Sequence, residues 1–301
     1  MSDVSVQADI PWYAAPRRWI ASHPVAAFLI MVYVVNVAVA LSPALTRRDL
    51  LPYDHAPYDL LGHIVGVAVP AFIVTAALRG KAGMREFVQR CLRWRFGLRW
   101  YLLALLGPTF ITMLLAIMLA GMAPLTAVAE NWPTFFRVIL PSLAFAFVLS
   151  NFYEEIGWTG FLLDRVQDRY RPMKAAAIVS VPFALFHLPG FIVEGGSVVD
   201  GLVILGVLFI PQFASRIIVA WFYNNTNRSV LIVGLFHAAY NATTRQEFSD
   251  AFLPVADDIQ FLIVVAVPIL PAILITVLTR GRLSYLPKDG LLQHPTTAST
   301  R

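Results

Sequence analysis

Long apolar runs, rather than alternation, organise this chain of 301 residues. A helix crossing ~30 Å of hydrocarbon needs roughly 20 mostly apolar residues. Eight stretches present themselves: Pro24–Leu45, Leu60–Leu78, Trp100–Met122, Val138–Leu163, Ala175–Val193, Leu202–Tyr223, Val230–Ala242 and Ile259–Leu278. Seven are long enough, and Val230–Ala242 is the short one, stopped by polar Thr243, Thr244 and Arg245. No strand-like alternation competes, and in lipid only helices and closed barrels satisfy their own backbone groups. The pattern predicts an all-α, polytopic integral membrane protein of about eight transmembrane helices. One membrane domain is expected over residues 20–282, after a cytoplasmic segment 1–19 and before a disordered cytoplasmic tail 283–301.

Composition narrows the class. With 58% hydrophobic and 14% charged residues and a mean hydropathy of +0.69, the chain has too few polar residues to cover a soluble globule. That excludes a cytosolic enzyme, a disordered chain and a nucleic-acid-binding module. The net charge of +5 belongs to topology instead. With a cytoplasmic N-terminus and alternating spans, 18 of the 23 Lys and Arg fall on the cytoplasmic side, seven of them from Arg79 to Arg99. The positive-inside rule expects this asymmetry. Dropping the short span would strand the basic C-terminus outside, so parity keeps eight helices with both termini cytoplasmic. The Ala- and Arg-rich composition points to a bacterial inner membrane, and the first span is too long for a signal-peptide core and reads as an uncleaved anchor.

Several residues need no special role at this stage. The Arg79–Arg99 segment interleaves Met84, Phe87, Val88, Cys91, Leu92 and Trp94 with its arginines, as an amphipathic helix on anionic headgroups would. Trp12, Trp19, Trp94, Trp100 and Trp132 fit an aromatic belt. His63 reads as interfacial, near the outer end of its span, and His23, His55 and His294 as solvated or headgroup residues. Cys91 stands alone, which excludes a disulfide framework and a Cys-based metal cluster.

The polar residues inside the spans are different. An ionisable side chain in mid-membrane costs roughly 2.5–3.5 kcal/mol on insertion scales. Glu154 and Glu155, His187, and His237 with Asn241 bear that cost. Glu154 is 11 residues from Arg165, His187 is 13 from Lys174, and His237 is 8 from Ser229. At about 1.5 Å per residue these are depths of roughly 16, 20 and 12 Å. Three separate helices thus bring polar groups to one level of the bilayer. On an α-helix Glu154 and Glu155 point about 100° apart, so one carboxylate can face a shared cavity while the other turns away. His237 and Asn241 share a face, as do Phe183 and His187. Pro182 and Pro189 flank the His187 segment and can kink it.

A carboxylate taken out of water is a usable base near neutral pH. It can take a proton from water attacking a carbonyl, with one histidine alongside, while a second histidine and an amide donate to the oxyanion. Glu and His are also competent zinc ligands. No Ser-centred elbow, phosphate loop or HExxH occurs. Hydrolysis of an amide inside the membrane is the reaction that fits.

These residues resemble a known family. Glu154-Glu155-Ile-Gly-Trp-Thr-Gly is similar to the first motif, Glu-Glu-x-x-x-Arg-Gly, of the CPBP (CAAX protease and bacteriocin-processing) intramembrane endopeptidases. Phe183-Ala-Leu-Phe-His187 resembles the second, Phe-x-x-x-His, and His237-Ala-Ala-Tyr-Asn241 the third, His-x-x-x-Asn. The three stand in order over about residues 135–245. The resemblance implies Glu154 as the base assisted by His187, with His237 and Asn241 stabilising the oxyanion. It implies either no cofactor or a divalent metal such as zinc on Glu154, His187 and His237. The implied partners are the lipid bilayer and a peptide or lipidated protein substrate, with no nucleic acid.

The first motif departs from the family at Thr159, where an arginine is usual. Without that cation Glu155 is expected to be protonated or to find another partner. Arg216, an expensive guanidinium within a span, is the first candidate and Arg165 the second. Glu155, Arg216, Trp158 and Phe183 therefore form the expected supporting set, with Trp158 walling the cavity. Two other classes compete with an endopeptidase: a non-catalytic peptide-binding immunity or regulatory protein of the same fold, and a proton-coupled transporter. The transporter lacks visible inverted repeats.

Overall fold

In the computed structural model, residues 14–41, 62–189 and 197–286 are described. Among them every regular element is helical. The chain runs through α1 (Ala14–Ser22), α2 (Pro24–Ala40), α3 (Ile64–Cys91), α4 (Leu98–Ala120), α5 (Ala123–Gln167), α6 (Pro172–Leu185), α7 (Val198–Asn225), α8 (Val230–Thr244), α9 (Gln246–Phe252) and α10 (Asp257–Thr279). The segments 1–13 and 287–301, together with Trp12, His55 and His294, lie outside the described residues.

Within the described residues each predicted apolar stretch overlaps one of these helices, and five of the helices are long and apolar enough to cross a membrane: α3, α4, α5, α7 and α10. A sixth span is possible if α1 and α2, bent by 106° at Pro24, act as one. The expected Ala175–Val193 span is corrected to a helix of 14 residues, α6. Pro182 removes a backbone donor inside α6, and the helix gives way at Phe186–His187 to a tight turn in which His187 N–H donates to Ala184 O at 3.1 Å. α8 is also short, at 15 residues, with the Ser229 side chain accepting from the Ile232 N–H at its start. Both short helices carry site residues.

The basic segment after the α3 span is helical, as its pattern predicts, but it is set off by a sharp break at Gly80. There φ is +56°, a conformation open to glycine and costly for other residues. Phe87 and Cys91 face the core while Leu92 and Trp94 stay exposed. The fourth helix departs further from expectation. Instead of a loop before Val138, α5 is helical for 45 residues, about 65 Å at the α-helical rise. It carries three π-helical stretches, Phe135–Ile139, Phe147–Asn151 and Ile156–Leu163. Such wide turns re-aim side chains and cluster at functional sites.

The basic connections gather at one end of the bundle. Asp164, near the foot of α5, lies 3.0 Å from Arg90 of α3 and 3.1 Å from Arg228 of the α7–α8 turn. The Tyr223 hydroxyl accepts from Arg90 at 2.8 Å and donates to Asp164 at 3.2 Å. Arg93 reaches the Asn227 carbonyl, and Ser229 Oγ donates to the Arg93 carbonyl. Leu283, assigned by sequence to the tail, is buried here, and its carbonyl accepts from Asn224. Trp100 is also buried, edge-on to Trp221 and Phe222, rather than on the surface belt, whereas Trp19, Trp94 and Trp132 are exposed.

Candidate active site

A cavity of about 230 Å³ lies where α5, α6, α7 and α8 converge, against α10. Glu154, His187, His237 and Asn241 all line it, as do Phe183 and Arg216. Glu155 does not, so the two adjacent carboxylates face different surroundings, and each has its own set of partners.

Glu154 is buried, and its Oε1 is contacted twice. Ser150, one turn earlier on α5, donates its hydroxyl to Oε1 at 3.1 Å, and His63 Nδ1 lies 3.0 Å from the same oxygen. His63 is therefore not an interfacial bystander; the structure corrects that reading. It sits at the head of α3, which packs against the Glu154 turn of α5. Its spacing from the polar set could not be read from its own span, because depth along one helix says nothing about which neighbour it leans on. Gly62 and Gly66, at small-x-x-x-small spacing, mark instead the close contact of this segment with Val39 and Val35 of α2.

Glu155 is fully buried and held by three partners. Arg216 donates Nη2 to Oε1 at 2.7 Å and Nη1 to Oε2 at 3.1 Å. Thr159 donates its hydroxyl to Oε2. His237 Nδ1 lies 2.9 Å from Oε1. The cation usual at position 159 is thus supplied from α7, and threonine adds a neutral bond of its own. Arg165, the second candidate, instead lies over the Phe161 ring, 4.2 Å from its centroid. The Arg216 guanidinium also stacks on Phe183, 4.1 Å from the ring centroid, a cation–π contact that orients the fork toward Glu155.

The histidines are fixed by their Nδ1 edges. His187 Nδ1 is 3.0 Å from the Phe183 carbonyl. A carbonyl can only accept, so Nδ1 carries the hydrogen and neutral His187 has its lone pair on Nε2. This explains the spacing of the Phe-x-x-x-His pair: the phenylalanine backbone sets the tautomer while its ring supports Arg216. His237 has its Nδ1 on Glu155, leaving Nε2 for the cavity, one helical turn from Asn241. Trp158 is corrected from cavity wall to backing. It is fully buried and packs edge-on against Phe183 at 5.7 Å and Phe186 at 5.6 Å, outside the lining.

Among the described residues, no group of three or more His, Cys, Asp or Glu side chains is arranged to hold a metal ion. Glu154, His187 and His237 do not form such a group, although the Nδ1 contacts leave Nε2 of both histidines toward the cavity. Sequence reasoning also passed over Ser150, Gln212, Ser215 and Tyr240, the last three on the cavity wall. Uncharged polar residues cost little in a span and leave no comparable signal.

Residues 136–243, which contain α6, α7 and most of α5 and α8, match the family described as type II CAAX prenyl endopeptidase, Rce1-like. That segment of the chain is similar to the CAAX-protease family. A curated relative, CAAX prenyl protease 2 of Methanococcus maripaludis, is 26% identical over 101 residues, covering 32% of this chain and 37% of that protein. The chain thus matches little more than a third of that relative's length. Glu154, Glu155, Phe183, His187, Arg216, His237 and Asn241 all fall inside the matched segment. His63 lies outside it, on a helix that the segment packs against.

Proposed function

We propose that this protein is an intramembrane endopeptidase, hydrolysing a peptide bond of a membrane-associated or lipidated peptide with a water activated between Glu154 and His187. The observation that carries the reading is one buried cavity lined by Glu154, His187, His237 and Asn241, with the His187 lone pair on Nε2. Glu154 has one carboxylate oxygen taken up by Ser150 and His63, and the other is available to a water. His187 Nε2 accepts the water's second hydrogen bond and orients a lone pair of its oxygen toward the substrate carbonyl.

In the step so arranged, the water oxygen bonds to the carbonyl carbon and its proton passes to Glu154. The negative charge that develops on the carbonyl oxygen is met by the Asn241 amide and by Nε2–H of His237 in its imidazolium form, whose Nδ1–H faces Glu155. Glu154 then returns the proton to the leaving nitrogen as the C–N bond breaks. Arg216 and Glu155 do not touch the substrate in this scheme. They hold His237 through its Nδ1, as a buried carboxylate orients the imidazole in other hydrolases. The step uses the chain's own residues, since no group of three or more His, Cys, Asp or Glu side chains is placed to hold a metal among the described residues.

The competing reading, a peptide-binding immunity or regulatory protein, rested on Thr159 leaving Glu155 without a cation. It loses that support with Arg216 on Glu155. The substrate class follows from the family description and from a site sunk among membrane helices. The Lys and Arg asymmetry supports cytoplasmic termini, and the Ala- and Arg-rich composition supports a bacterial inner membrane.

The test is cleavage of a fluorogenic panel of lipidated and unlipidated peptides by purified protein in detergent. Glu154→Gln is expected to lower kcat about 100-fold or more, the usual scale for removing a general base, without a change in melting temperature. A chelator is expected to leave the rate unchanged. Equal cleavage by Glu154→Gln and wild type, or no cleavage by folded wild type across the panel, would overturn the proposal. Activity lost to the chelator and restored by zinc would replace its water-activation step.

A further inference from the structure

We infer that His63 is a positioning residue of this reaction, one that decides which oxygen of Glu154 acts as the base. The inference rests on Glu154 being the base and goes beyond it, because His63 lies on α3, outside the matched segment.

The argument is one of hydrogen-bond capacity. Oε1 of Glu154 already faces two donors, the Ser150 hydroxyl at 3.1 Å and His63 Nδ1 at 3.0 Å. Oε1 accepts from Ser150, and the approach of His63 Nδ1 is an ion-pair contact that requires a hydrogen on Nδ1, since two bare lone pairs at this distance would repel. Among the described residues no hydrogen bond or ion pair is made to Oε2, while Glu154 lines the cavity. A proton taken from water therefore goes to Oε2. Once it is there, Oε1 is the carbonyl oxygen of a carboxylic acid and still accepts from both donors. The His63 contact thus survives proton transfer, which is what a positioning group requires. Ser150 alone does not suffice: it sits on the same helix, one turn away, and moves with Glu154. His63 comes from a different helix and fixes the carboxylate relative to the rest of the bundle.

The packing that brings His63 there is specific. Glu154 and Glu155 are followed on α5 by Gly157, and a Cβ built on Gly157 would meet Val67 Cγ1 of α3 at 2.5 Å and the Val67 carbonyl at 2.9 Å. Only glycine lets α3 approach α5 this closely, one turn from both His63 and Glu154. The His63 ring also lies beside Phe186, with centroids 6.4 Å apart, next to His187. The close approach of α3 and the position of its histidine are therefore one feature.

His63→Leu and His63→Asn test this, since asparagine places an amide N–H near the position of Nδ1 and leucine does not. The side chain is 27% exposed, so neither change opens a sealed core. His63→Leu is expected to lower kcat about 10- to 100-fold, the cost of a loosely held catalytic group, with KM within about twofold of wild type and an unchanged melting temperature. His63→Asn is expected to recover most of that loss, which a merely structural role would not produce. Gly157→Ala gives a second route, because it pushes α3 away without touching His63, and should reproduce the loss in kcat of the protein that remains folded. Wild-type kcat in His63→Leu, with Glu154→Gln inactive in the same assay, would overturn this inference and leave the proposed function standing. An active Glu154→Gln would instead overturn the function itself.

Discussion

Removing Arg216 tests how this chain holds its second glutamate. Arg216 is 2% exposed and Glu155 fully buried. The two share a bidentate pair at 2.7 and 3.1 Å, with the guanidinium stacked on Phe183. Arg216→Met keeps the length and packing of the stem and removes the charge. Glu155 then retains only the Thr159 hydroxyl and His237 Nδ1 as partners. Breaking a buried pair on one side costs about 3–5 kcal/mol, because the remaining charge is left unpaired. Lost stacking on Phe183 accounts for roughly 0.5–2 kcal/mol of it. Adding Glu155→Gln removes the stranded charge, so the double variant is expected to be more stable than Arg216→Met alone. That non-additivity is the signature of a direct pair. Thr159→Arg in the Arg216→Met background returns a cation to the position usual in the family and is expected to recover part of the stability and activity. Thr159→Arg alone should destabilise, since Thr159 is fully buried and Arg216 still fills the space. The assays are thermal melting in detergent and peptide cleavage. A melting temperature and cleavage rate for Arg216→Met equal to wild type would refute the reasoning.

Two further outcomes follow from the same geometry. Asn241→Ala is expected to lower kcat about 100- to 1,000-fold with little change in KM, as loss of one oxyanion donor does elsewhere; a matched fall in substrate affinity would assign Asn241 to ground-state binding. Asp164→Asn leaves Arg90 and Arg228 facing each other without their shared carboxylate, at a cost of about 3–5 kcal/mol. It should appear in melting and yield, while kcat per folded molecule stays at the wild-type value, because this network lies at the foot of α5 away from the cavity.

Much of this was legible from residue order because hydropathy and helical spacing are local properties. The apolar runs identified every membrane helix among the described residues. Counting from the basic ends brought Glu154, His187, His237 and Asn241 to one depth. The insertion cost of Arg216 marked it as a partner for Glu155 once Thr159 was seen to lack a charge. Helix length was less legible: one proline, Pro182, and the turn after it end α6 halfway through a run that hydropathy reads as continuous.

What residue order left open concerns neighbours. That His63 stands against Glu154 depends on α3 leaning on α5 at Gly157, a contact between segments far apart in the chain. That Glu154 faces the cavity and Glu155 the Arg216 pair, and not the reverse, depends on where α7 packs against α5. Residue types and depth admit Glu154, His187 and His237 as a ligand set, but convergence of three such groups is set by packing, and among the described residues no such group is found. Residue order alone marks which groups are costly in lipid and must be satisfied; which of them satisfy one another is set by helix packing, through contacts that no local pattern encodes.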